Sequence, residues 1–134
     1  KFKEQAGYKE IIKFIKRVKN NKKMTVEFIK KETKLGKKIF LYGASTKGNT
    51  LLQCYGLTNK EIPFAAERSK VKWGKYTVGS GVKIISEENA RKLNPDYFFV
   101  MPYGFINEFL IREKNWLNKG GKFLLPYPKL KVVK

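Results

Sequence analysis

The chain has 134 residues, 30 Lys and Arg against 11 Asp and Glu, no His and a single Cys, for a formal charge of +19. That length suits one domain with its own core, and a lone Cys54 without any histidine excludes an internal disulfide, a zinc finger and His-led acid–base chemistry. No apolar run approaches the roughly 20 residues that span a bilayer and no signal peptide opens the chain, so the expected setting is cytoplasmic and reducing.

In chain order, the opening residues Lys1 to Tyr8 read as the interior of a longer polypeptide. Tyr8, Ile11, Ile12, Ile15 and Val18 then recur at helical spacing. Asn20 and Asn21 interrupt that pattern, and a second helix carries Met24, Phe28 and Ile29 to a stop near Leu35-Gly36. The expectation is a two-helix lead-in over residues 1–36 and an α/β domain over 37–134. Ile39-Phe40-Leu41-Tyr42 is a short unbroken apolar run, the signature of a strand buried on both faces of a parallel sheet. Asn49 to Tyr55 reads as a helix, Pro63 to Ala66 as a second strand, Lys72 to Gly81 as a Gly-rich connection and Val82 to Ile85 as a third strand.

Ser86 followed by Glu87 and Glu88 has the composition of a helix start, and Asn94-Pro95 closes that helix. Tyr97 to Met101 is a fourth strand with Pro102 to Gly104 as its loop. Phe105 to Leu117 is an amphipathic helix ended by Gly120-Gly121, and Lys122 to Leu125 is the last strand. The pattern predicts an α/β Rossmann-like three-layer domain with a mostly parallel sheet of about five strands.

In such a sheet the first strand-to-helix turn is the usual phosphate seat. Here it is Gly43-Ala44-Ser45-Thr46-Lys47-Gly48-Asn49-Thr50. In a P-loop the lysine would follow the second glycine, and in a dinucleotide fingerprint glycine would stand where Ser45 does. What remains is an anion site built from backbone N–H groups, the hydroxyls of Ser45, Thr46 and Thr50, and the Lys47 ammonium. Glu67, with Arg68 beside it, falls at the end of the second strand. The pair reads either as a ribose contact or as a surface pair capping the strand. Tyr103, after the fourth strand, is placed to stack on a base or donate to a phosphate. Lysine supplies 26 of the 30 basic groups, and a lysine excess spread along the chain suits a solvated surface better than bidentate reading of nucleic acid. A stand-alone basic module binding a nucleotide or nucleic acid is the alternative reading.

The run Tyr42 to Leu52, with Glu67-Arg68, then Lys72, Gly74, Tyr76 and Gly79, then Pro95-Asp96-Tyr97 and Gly120-Gly121-Lys122-Phe123, resembles the C-terminal domain of sugar C-methyltransferases over about residues 36 to 128. The resemblance implies a Rossmann-like domain that helps hold a nucleoside-diphosphate keto-deoxysugar. It also implies that the SAM-binding domain, the zinc ligands and the main catalytic base lie upstream, with no cofactor in this part. Thr77 to Lys83 stands where the family commonly shows Thr-Pro-Gly-Thr-His-Ile-Pro, Tyr103-Gly104-Phe105 where it shows Trp-His-Phe, and Glu67 where it shows Asp. Both family histidines are therefore missing. The resemblance carries over Gly43, Ala44, Lys47, Gly48, Asn49 and Thr50, and with Ser45, Glu67, Arg68 and Tyr103, read from the turn and the strand ends, these are the expected substrate-binding residues.

Overall fold

The structure, a computed structural model, describes residues 2–100, 106–126 and 130–134. It begins with one helix rather than two. α1 runs unbroken from Phe2 to Lys34, straight through Asn20 and Asn21. Asparagine disfavours helix interiors because its side chain competes for the backbone, but Asn21 has distant partners instead. Its Nδ2 donates to the Pro126 carbonyl, and its Oδ1 accepts from the Leu130 N–H at 2.8 Å. One residue thus keeps its helix and clamps the C-terminal segment. α1 ends where expected, with Gly36 at φ +84 and the Lys37 N–H reaching back to the Glu32 carbonyl.

Beyond α1 the elements are β1 (Ile39–Tyr42), α2 (Thr46–Tyr55), β2 (Phe64–Glu67), a short 3-10 turn (Lys70–Lys72), β3 (Lys83–Ser86) and α3 (Glu87–Lys92). Then come β4 (Tyr97–Val100), α4 (Ile106–Arg112), α5 (Lys114–Asn118), β5 (Lys122–Leu125) and β6 (Lys131–Val133). The strands form one sheet in the order β3-β2-β1-β4-β5-β6. The first five are parallel, and β6 adds an antiparallel edge that the sequence pattern did not suggest. This is the strand order of the doubly wound dinucleotide-binding fold, with its switch point between β1 and β4. The predicted helix over Phe105–Leu117 is instead two short helices that meet at Glu113. The helix after β1 starts at Thr46, three residues before the apolar pattern that marked it.

β1 and β4 are buried along their whole length because both faces are covered. On one face Ile39, Leu41, Tyr97 and Phe99 meet Ile29 of α1 and Leu52 of α2. On the other, Phe40, Tyr42, Phe98 and Val100 meet Ala90 of α3 and Trp116 of α5. Phe98 lies 4.5 Å from the Trp116 ring and 4.9 Å from that of Tyr42. Each such fully buried aromatic contributes roughly 1.5 to 3 kcal/mol, enough to make these two strands the rigid base on which the β1–α2 turn is mounted.

Candidate functional site

β1 delivers the chain to the carboxyl edge of the sheet beside the switch point. Gly43 turns there at φ +89, a conformation that a side chain would strain, and its N–H donates to the Ala66 carbonyl at 2.7 Å. Ser45 caps α2, its Oγ accepting from the Gly48 N–H at 3.0 Å. Gly48 is buried, and a Cβ there would lie 3.2 Å from Ser45 Oγ and 3.5 Å from Leu41 Cδ1, so its smallness lets the helix start close against β1. The N–H groups of Thr46 and Lys47 open the helix without an acceptor among the described residues. Lys47 is exposed beside them, and no acidic residue stands in that first turn.

The predicted residues divide into those that face outward and those that hold the turn. Glu67 belongs to the second kind: its Oε1 accepts from the Ala44 N–H at 3.0 Å and its Oε2 from the Ser69 N–H at 2.8 Å, with Lys72 Nζ at 3.9 Å. Burial pushes this carboxyl up, but the two N–H donors and Lys72 outweigh it and hold it below the usual carboxylate range. Lys72 also donates to the Ala44 carbonyl at 3.2 Å. Asn49 is likewise occupied: its amide donates to the Val78 carbonyl at 3.0 Å, and its Oδ1 accepts from Ser80 Oγ at 2.5 Å. Gln53 donates to that same Val78 carbonyl, so two side chains of α2 pin the Gly-rich connection against the helix.

Lys47 and Thr50 line a shallow groove of about 320 Å³ on the outer side of α2 with Thr46, Leu51 and Cys54. Arg68 lines a different groove, of about 480 Å³, with Glu67, Trp73, Ser86, Glu87, Glu88 and Asn89. The two ends of the predicted site therefore open on separate depressions, joined through the Glu67–Ala44 hydrogen bond. Tyr103 lies outside the described residues, as do Pro102 and Gly104 beside it.

Sequence reasoning missed a cluster on the opposite face. Glu113 is fully buried. It accepts from Tyr42 Oη at 2.8 Å and from Arg91 Nε and Nη2 at 2.7 and 2.6 Å. Arg112 donates to Tyr42 Oη at 3.0 Å, and Glu87 pairs with both arginines. Burial raises the Glu113 carboxyl, the hydrogen bonds from Arg91 and Tyr42 more than reverse it, and the group stays ionised below the usual range. Burial and the Glu113 contact push the Tyr42 phenol well above its ordinary value. The one signal that could have pointed to this network is the Glu87/Arg91 spacing of four residues on a helix, which was not read.

Residues 1–128 match the family described as the C-methyltransferase C-terminal domain. The chain belongs to that family. The match takes in α1, which the resemblance read from residue 36 onward had left outside. The chain is also 38% identical over 98 residues to C-methyltransferase NovU of Streptomyces niveus, a stretch covering 73% of this chain and 23% of that protein. The chain thus spans about a quarter of the length of the curated relative it matches. Among the described residues no helix is long and apolar enough to cross a membrane.

Proposed function

We propose that this domain holds the substrate of a SAM-dependent C-methyltransferase, a nucleoside-diphosphate-linked keto-deoxysugar, with its diphosphate at the turn Gly43 to Thr50. The observation that carries this reading is the start of α2. A helix N-terminus at the carboxyl end of the central strand, with two N–H groups that have no acceptor among the described residues, an exposed lysine and no first-turn carboxylate, attracts an anion. Gly43 and Gly48 shape the turn, Ser45 caps it, Lys47 and Thr50 offer the polar contacts, and Asn49 and Glu67 act by positioning. Arg68 and Tyr103 flank the turn as further candidates.

SAM, which would supply the methyl group in the whole enzyme, is assigned to polypeptide outside this chain. The carboxylate at the end of β2, which a Rossmann-type nucleoside site turns toward ribose hydroxyls, is here turned onto the Ala44 and Ser69 N–H groups. Among the described residues that carboxylate is already engaged, which supports a SAM site elsewhere. Calorimetric titration of residues 1–134 with SAM checks this, and a micromolar dissociation constant would place the cofactor site inside the chain after all.

The test of the substrate reading is titration of the full-length protein with a nucleoside diphosphate. Lys47→Ala is expected to weaken binding by about 1.5 to 3 kcal/mol, the worth of a charge-assisted contact. Lys92→Ala, on α3 and paired with Glu88 at 3.5 Å, is expected to leave binding unchanged. Equal affinities for wild type and Lys47→Ala would remove the phosphate assignment.

A further inference from the structure

α1 has one apolar seam and two kinds of surroundings. Ile11, Ile15, Val18, Lys22, Thr25 and Ile29 follow one another at alternating steps of four and three, so they lie along a single face of the helix. The C-terminal half of that seam is covered. Thr25 and Ile29 are fully buried, Phe28 sets its ring edge-on against Tyr97 at 5.5 Å, and Glu32 accepts from Tyr97 Oη at 2.6 Å. The other half is bare: Tyr8, Ile11, Phe14, Ile15 and Val18 are 66, 59, 51, 45 and 42% exposed. Five large apolar side chains over about 16 Å of helix make a patch of the kind that marks an interaction surface rather than scattered surface residues.

Three features choose the occupant. The family is by its description the C-terminal domain of a longer enzyme, and the relative is about four times as long as the stretch matched here, so a large body of the same polypeptide adjoins this domain. Between Tyr8 and Lys23 the helix carries Lys9, Lys13, Lys16, Arg17, Lys19, Lys22 and Lys23 against Glu10 alone. Pairing two copies along this seam would press those positive charges together, the flanking ones and Lys22 within the seam itself. A lipid surface would take the whole apolar face of an interfacial helix, whereas here the same seam is already buried against the sheet over its second half.

We propose that the bare seam from Tyr8 to Val18 docks on the methyltransferase body of the same polypeptide, on an apolar surface with an acidic rim. The inference rests on the reading that a catalytic body adjoins this domain, and it deepens that reading by naming the contact through which the two are held together. It does not depend on where the diphosphate sits.

Hydrogen exchange on the full-length protein, without ligand, tests it. In an uncovered helix the amides of residues 8–18 exchange quickly, while docking slows them. We expect protection in wild type that survives hundredfold dilution and falls at least tenfold in Ile11→Lys/Ile15→Lys. We expect the same fall in Lys16→Glu/Arg17→Glu, whose exposed side chains cannot disturb the core. Amides of β1 and β4 report that each variant is folded. Fast exchange over 8–18 in wild type would overturn the proposal. So would protection lost on dilution, which indicates a second copy, or protection gained only with phosphatidylserine vesicles, which indicates a lipid surface. Nucleoside diphosphate affinity is measured separately, so a failed substrate reading and a failed docking surface give different results.

Discussion

Two carboxylates, one on each face of the sheet, are both held ionised by neighbours, and they are held for different ends. Glu113 has no exposed side-chain surface and is gripped by side chains from three elements: Tyr42 of β1, Arg91 of α3 and Arg112 of α4. Glu67 is 15% exposed and is gripped mainly by backbone, the N–H groups of Ala44 and Ser69. Side chains reaching in from separate elements tie those elements together, so the Glu113 cluster is a device of folding. Backbone donors from two loops fix the path of those loops, so Glu67 is a device of the β1–α2 turn and the proposed site there. A buried charge held by long-range partners is costly to disturb, whereas a loop carboxylate near solvent changes local shape at lower cost.

The sharpest way to break this comparison is Arg91→Ala. It leaves Glu113 buried with only Tyr42 and the more distant Arg112, at 3.9 Å, to compensate. Breaking a buried pair costs 3 to 5 kcal/mol, and because Arg112 remains and Arg91 itself is partly exposed, about 3 kcal/mol is expected from urea unfolding. A loss under about 1 kcal/mol would make the cluster a surface ion pair and void the contrast. Gly121→Ala probes the same face by packing instead of charge. A Cβ at that position would fall 2.2 Å from Trp116 Cε2, and the ring cannot move away without giving up the bond from its Nε1–H to the Pro95 carbonyl at 2.8 Å. Overpacking of this kind costs about 2 kcal/mol, again read from urea unfolding.

The same contrast explains what could be read from the sequence. Ile39 to Tyr42 and Tyr97 to Val100 were legible as doubly buried strands because continuous apolar runs have few other uses. Ser86 was legible as a cap, and its Oγ does accept from the Asn89 N–H at 3.0 Å. Features set by distant partners were not. Asn21 reads locally as a helix breaker, and within α1 its side chain is taken up by Pro126 and Leu130, over a hundred residues away. Glu113 sits at the break between α4 and α5, and nothing in its neighbours announces Arg91 or Tyr42. β6 is three residues at an edge, too short for a periodic signal. At the candidate site, the turn from Gly43 into α2 was legible from its residue types. That Glu67 turns inward and Asn49 sideways depends on backbone donors and acceptors, which every residue carries and no sequence pattern advertises.

A smaller effect sharpens the Glu67 side. Glu67→Ala removes the acceptor for two N–H groups near the surface, and about 1 to 2 kcal/mol of stability is expected to go with it. Faster exchange of the Ala44 and Ser69 amides should accompany that loss, with β4 unaffected. The pH dependence has a definite sign. The folded pKa of Glu67 lies below its unfolded value, so its contribution is full above about pH 4.3 and is lost as pH falls through the folded value. The stability gap between wild type and Glu67→Gln should therefore narrow in acid. Glu113 follows the same rule, and the gap between wild type and Glu113→Gln should narrow over the same range. A gap that widens in acid for either would show that the carboxylate is held protonated.

The smallest effect on stability is expected where the effect on binding is proposed to be largest. Lys47 is the second residue of α2, counted from its Ser45 cap, and no carboxylate shares that first turn. A positive side chain at a helix N-terminus opposes the helix dipole by a few tenths of a kcal/mol, and this one is exposed, so it contributes little packing in return. Lys47→Ala should thus leave the melting temperature unchanged or raise it slightly, and Lys47→Glu should raise it more, since an acidic residue there follows the dipole. Salt screens such terms, so the difference between the two variants should shrink as ionic strength rises. A clear loss of stability in Lys47→Ala would mean that the lysine holds the fold together, as Arg91 is expected to, and the division between a folding face and a proposed binding turn would fail at the residue on which it depends most.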